Sequence, residues 1–144
     1  MTHSDKGKYF QKHSRETKVE DSLKQEVLQA AKENNVACPA AEEIARRKVV
    51  ALGDVGIALD LLNINIIECQ LGLFGYGPQK KIVQPAKKIA SDLKQAINDA
   101  LSDGCLPCAE AWAIAKQLNL PRMKVSAACE TLQIKIKPCQ LGAF

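Results

Sequence analysis

The chain has 144 residues, enough for one ordinary domain or two small ones. Its 47% hydrophobic and 25% charged residues are ordinary for a soluble globular protein, and only 4% aromatics means a core built mainly from Ala, Ile, Leu and Val. The formal net charge is +4, and no apolar run approaches the roughly 20 residues that a spanning helix needs, which excludes a transmembrane helix and a membrane partner.

The N-terminal stretch MTHSDKGKYFQKHSRETK has no apolar core of the kind a secretory signal carries. A cytoplasmic location follows as the expectation, with the six cysteines held as thiols, metal ligands or redox groups. Residues 1–17 read as a disordered, charge-mixed arm that cannot bury enough surface to fold by itself. His3 and His13, the only histidines, lie in that arm.

Beyond the arm the sequence repeats itself. Shifted by 70 residues, Leu23 to Phe74 falls on Leu93 to Phe144 without a gap, with 18 identities in 52 pairs. Both copies close on Cys-Gln-Leu-Gly-x-Phe, at Cys69 to Phe74 and Cys139 to Phe144. A duplicated domain explains this pattern. The expected division is repeat 1 at 18–75, a basic linker at 76–84 and repeat 2 at 85–144.

Each repeat reads as three helices and a short strand. The first helix is expected at 19–33 and 86–102, where Ile89, Leu93, Ile97 and Leu101 recur every four residues. Pro85 suits a helix start, and Asn34-Asn35 and Asp103-Gly104 suit helix stops. Second helices are expected at 40–47 and 110–117, third helices at 54–62 and 124–132. The strand is expected at 64–67 and 134–137, where IKIK alternates apolar with polar residues. The fold class is therefore mainly α with short β-strands.

The stretch AEAWAIAKQLNLPRMKVSAACETLQIKI, Ala109 to Ile136, resembles a helix-turn-helix domain, and most closely its winged-helix relatives. The resemblance covers both copies, making two tandem three-helix, winged-helix-like repeats. It implies that Ala115 lets the third helix pack closely across the second. Leu118 and Leu120 would fill the turn, Val125 and Ala128 would face the core, and Leu132 would close the third helix. The strand would lead towards a wing, although repeat 2 ends seven residues after it, too soon for a second wing strand.

In such domains the start of the third helix enters the major groove. Repeat 2 offers Arg122, Lys124 and Ser126 there, whereas repeat 1 offers Gly53, Asp54 and Gly56. The charge ledger points the same way: residues 22–74 carry five basic and seven acidic groups, and residues 92–144 carry six and five. Residues 75–91 carry four lysines and no acid, with Lys80, Lys81, Lys87 and Lys88 in two pairs. Double-stranded DNA is therefore the expected partner, a transcriptional regulator the expected role, and repeat 1 a packing or dimerisation unit. The alternative is a protein–protein adaptor built from two degenerate helix-turn-helix domains, with a protein partner or a second copy.

The cysteines form a second constellation. Cys38 and Cys69 recur as Cys108 and Cys139, and repeat 2 adds Cys105 and Cys129. Cys105, Cys108, Cys129 and Cys139 could hold zinc or sense oxidation, since CxxC is half of a zinc site and a thiol at a helix N-terminus is a better nucleophile. The second CxxC is absent, and Cys129 falls on Leu59, a core position, so no cofactor is expected. The plainest reading makes Cys38, Cys69, Cys108 and Cys139 small buried apolar residues. Gly72 and Gly142 are expected to take positive φ, with Leu71, Leu141, Phe74 and Phe144 as apolar plugs. No phosphate loop, dinucleotide fingerprint or nucleophile elbow is present, so no enzyme is expected.

Overall fold

The computed structural model describes residues 21–143, so the arm and Phe144 lie outside the described residues. The protein is mainly helical, with six α-helices and two short strands among them. None of these helices is long and apolar enough to cross a membrane. The residues gather into two compact units: one ends its first segment at Cys69 and resumes at Gln140, and the other is Gln70–Cys139.

The first unit holds α1 (Asp21–Ala30), β1 (Asn35–Ala37), α2 (Cys38–Lys48), α3 (Leu52–Leu61) and β2 (Asn65–Ile67). Leu23 and Val27, one turn apart on α1, are buried with Ala41 and Ile44 of α2 and Val55, Ala58 and Leu59 of α3. Pro39 stands in the first turn of α2, where its missing N–H does no harm. The α2 helix ends at Val49, which adopts the left-handed conformation and donates its N–H to the Arg46 carbonyl. Asp54 accepts the Ala51 N–H at 3.2 Å and so caps the start of α3.

β1 and β2 pair in parallel, Val36 opposite Ile66, with α2 and α3 forming the crossover between them. β1 was not anticipated. Three residues are too few to show alternation, and their partner lies 30 positions away (Asn35 to Asn65). The expected first helix also stops earlier, at Ala30, because the chain reverses through Glu33 and Asn34, both at positive φ, between mutual Lys32–Asn35 hydrogen bonds.

The second unit holds α4 (Ser91–Ala100), α5 (Cys108–Gln117) and α6 (Arg122–Leu132). Leu93 and Ile97 of α4 are buried with Ala111, Ile114 and Ala115 of α5 and Val125, Ala128 and Cys129 of α6. The expected strand at 134–137 is reduced to one parallel bridge, Leu106 to Ile136. The expected helix at 86–102 runs only over Ser91–Ala100: Ala90 and Leu101 on either side are extended, and Ala86 is tied to the Ala127 carbonyl through its N–H at 3.0 Å.

The closing hexapeptides supply a less expected feature. Leu141, buried in the first unit, lays its backbone against α3 at Gly56. Leu71, buried in the second unit, accepts a hydrogen bond from Ser126 of α6. Gly56 and Ser126 occupy the same place in the 70-residue shift, as do Leu71 and Leu141. Each third helix is thus covered by the tail of the other sequence copy.

Candidate nucleic-acid interface

Helix α6 starts after Pro121, which sits in extended conformation and fixes the entry of the chain. The segment from Gln70 to Ala86 follows this helix from its first turn towards its last through a series of contacts. Gln70 accepts a hydrogen bond from Arg122 Nη1 at 2.7 Å. Ser126 Oγ donates to the Leu71 carbonyl at 2.7 Å. A Cβ on Gly72 (φ +72°) would press on Met123 Sδ at 3.1 Å and Ile82 at 3.2 Å. The Gly72 carbonyl in turn accepts the N–H groups of Ile82 and Val83 at 2.9 and 3.1 Å. Further along, Lys81 pairs with Glu130, and Thr131 Oγ1 donates to the Ala86 carbonyl at 2.6 Å.

These contacts place the lysine-rich stretch on the flank of α6. Lys80 and Lys81 lie where the stretch turns, and Lys87 and Lys88 follow immediately after the anchored Ala86; all four are exposed. Lys124, on the first turn of α6, is exposed as well. The second unit carries ten Lys and Arg against five Asp and Glu, a surplus of five. Residues 21–69 with 140–144 carry five against eight, a deficit of three.

Two expected ligands behave otherwise. Ser126 is buried, and its hydroxyl is used on the Leu71 and Met123 carbonyls, so it offers nothing to a base edge. This corrects the expectation that it faces nucleic acid. Its pairing with Gly56 in the repeat was the available signal, since both positions are small because a neighbouring backbone presses on them. Arg122 is half-buried, with its guanidinium carbon over the Trp112 ring, 3.6 Å from the centroid. Neither this stack nor the Gln70 bond had a signal in the sequence, because the three residues come from three separate segments.

The cysteines are all free of disulfides. Cys38 and Cys69 are buried in the first unit, and Cys108 and Cys129 in the second, while Cys105 and Cys139 are half-buried. Cys108 opens α5 and donates its backbone N–H to the Pro138 carbonyl at 3.1 Å. Burial, with a smaller contribution from Glu130, pushes the Cys129 thiol up to about 11, so it is a poor nucleophile and a poor ligand. Among the described residues no three His, Cys, Asp or Glu side chains stand close enough to hold a metal. Gly142 takes φ +81°, Phe74 is half-buried, and Phe144 falls outside the described residues.

No protein family, curated protein or solved structure matches this chain.

Proposed function

We propose that the protein binds double-stranded DNA through its second unit, mainly by phosphate contacts, and acts in the cytoplasm as a transcriptional regulator rather than an enzyme. The two units would be tandem, winged-helix-like helix-turn-helix repeats, the second a reader and the first a packing or dimerisation partner. One observation carries this reading: the lysine-rich segment is hydrogen-bonded along α6 instead of hanging as a solvated connector. Lys80, Lys87, Lys88 and Lys124 are thereby carried on one unit that has a surplus of positive charge. Lys81 is set apart by its ion pair with Glu130.

Because the segment stands against α6 from Arg122 and Met123 to Ser126 and beyond, few base contacts would be open, and most affinity would come from counterion release. Four phosphate contacts give a log–log salt slope of about −3.6, or roughly a hundredfold loss of affinity between 50 and 200 mM salt. Anisotropy of a labelled duplex across a salt series measures this. Replacing Lys87 and Lys88 by Ala should reduce the slope to about −1.8. No binding at low salt, or a slope that ignores both substitutions, would refute the reading.

A second reading, the protein–protein adaptor, is favoured by the covered face of α6 and the acidic first unit. A pulldown that recovers a protein partner and no nucleic acid would select it.

A further inference from the structure

Helix α6 has 11 residues, and the rows they form show which side of it is open. Successive residues step about 100° around a helix, so positions four apart lie in one row. Arg122, Ser126 and Glu130 form one row, and Met123, Ala127 and Thr131 form the next. Each of these residues meets segment 70–86. Arg122 bonds Gln70, Met123 stands against Gly72, and Ser126 bonds the Leu71 carbonyl. Ala127 accepts the Ala86 N–H, Glu130 pairs with Lys81, and Thr131 donates to the Ala86 carbonyl. Val125, Ala128 and Cys129 are buried on the other side, with half-buried Leu132 in line with them. Lys124 is the residue left over, exposed at the border between the two sides.

The segment therefore lies on the side of α6 that faces away from the core. A helix reads bases by laying that side in the major groove, which is about 12 Å wide and admits a helix about 10–12 Å across. A second length of chain between helix and groove does not fit. The first unit has the same device, since Leu141 lays its backbone on α3 at Gly56, the equivalent of Ser126. Covering the third helix is thus a property of the repeat.

The charges lead to the same place. Arg122 is the one arginine among residues 70–139, and Gln70 and Trp112 engage it. Beside paired Lys81, the flank of α6 exposes Lys80, Lys87, Lys88 and Lys124, whose ammonium groups are point charges on flexible stems. Contacts from such groups to phosphate fix position and carry no sequence information.

We propose that the protein binds duplex DNA without regard to base sequence, its ligand being the phosphate backbone along the flank of α6. This rests on the DNA reading above and fixes what that site recognises.

The test uses the full chain and three labelled duplexes of equal length, one of A·T pairs only, one of G·C pairs only and one mixed. Anisotropy at a single low salt concentration gives the affinities, and a salt series gives the slopes. The three affinities should agree within about fivefold, the lower end of what one bidentate base contact discriminates. Their slopes should coincide. A fourth duplex with methylphosphonate linkages throughout keeps the bases, removes the backbone charge and should not bind. Lys124→Ala should make the slope shallower by about 0.9, the share of one phosphate contact. A larger preference for one sequence would overturn the inference and leave the DNA reading standing. Binding to the methylphosphonate duplex would overturn the backbone as the ligand. Absence of binding to every duplex at low salt would overturn both readings.

Discussion

Substituting Gly56 by Ala tests the contact between α3 and the segment that begins at Gln140. A Cβ at position 56 would fall on the Leu141 carbonyl oxygen, and would lie 2.8 Å from its carbon and 3.1 Å from its Cα. These are backbone atoms, so no side-chain rotation relieves the clash and the segment must move. Leu141 is only 3% exposed, and expelling it forfeits about 1.5–3 kcal/mol of apolar burial. Alanine returns about 0.5–1 kcal/mol as a better helix former than glycine. The net expectation is a loss of about 1–2 kcal/mol, read from urea unfolding followed by circular dichroism. Gly53, on the same helix with nothing within 4 Å of its Cβ position, supplies the control. Gly53→Ala should be neutral or stabilise by up to about 1 kcal/mol. Faster amide exchange at residues 141–143 should accompany the Gly56 change alone. A Gly56→Ala protein at least as stable as wild type would refute the reasoning, because Leu141 would then not be seated against α3.

Ser126→Ala removes the hydrogen bond to the Leu71 carbonyl and should cost about 1 kcal/mol, measured by the same unfolding curves. The raised Cys129 thiol favours the folded state while it stays protonated. That contribution is full below the ordinary value of 9.0 and is lost as pH rises towards about 11, so stability in the Cys129→Ala variant should fall less steeply over this window. In brief alkylation of the native protein followed by peptide mass spectrometry, half-buried Cys105 and Cys139 should label before Cys129.

The helices were legible because their apolar residues keep helical spacing: Leu23 and Val27 on α1, and Leu93 and Ile97 on α4, mark buried faces in sequence as in space. The small residue at 115 was likewise readable, and Ala115 is buried. What stayed hidden depends on partners far along the chain. Asn35, Val36 and Ala37 become a strand only because Asn65, Ile66 and Ile67 arrive beside them. Residues 86–90 carry a plausible helical pattern, but Ala86 is drawn away by Ala127 and Thr131. At the candidate interface the charges of Lys87, Lys88 and Lys124 could be read directly, since exposure is the default for lysine. The inward turn of Ser126 and the stacking of Arg122 could not, because both are fixed by Gln70 and Leu71, which stand more than 50 positions away.

The seat at Gly56 also sets an order of events during synthesis. A ribosome adding roughly 5–20 residues per second reaches position 141 about 4–17 s after position 56. Through that interval α1, α2 and α3 exist as nascent chain while the residue that covers α3 has yet to be made. The first unit therefore lacks the Leu141 seat while its own helices emerge. The second unit meets no such delay, because Gln70 and Leu71 precede α6 and wait for it. A pause in translation between the two copies would accordingly expose α3 for longer and leave the covering of α6 unaffected.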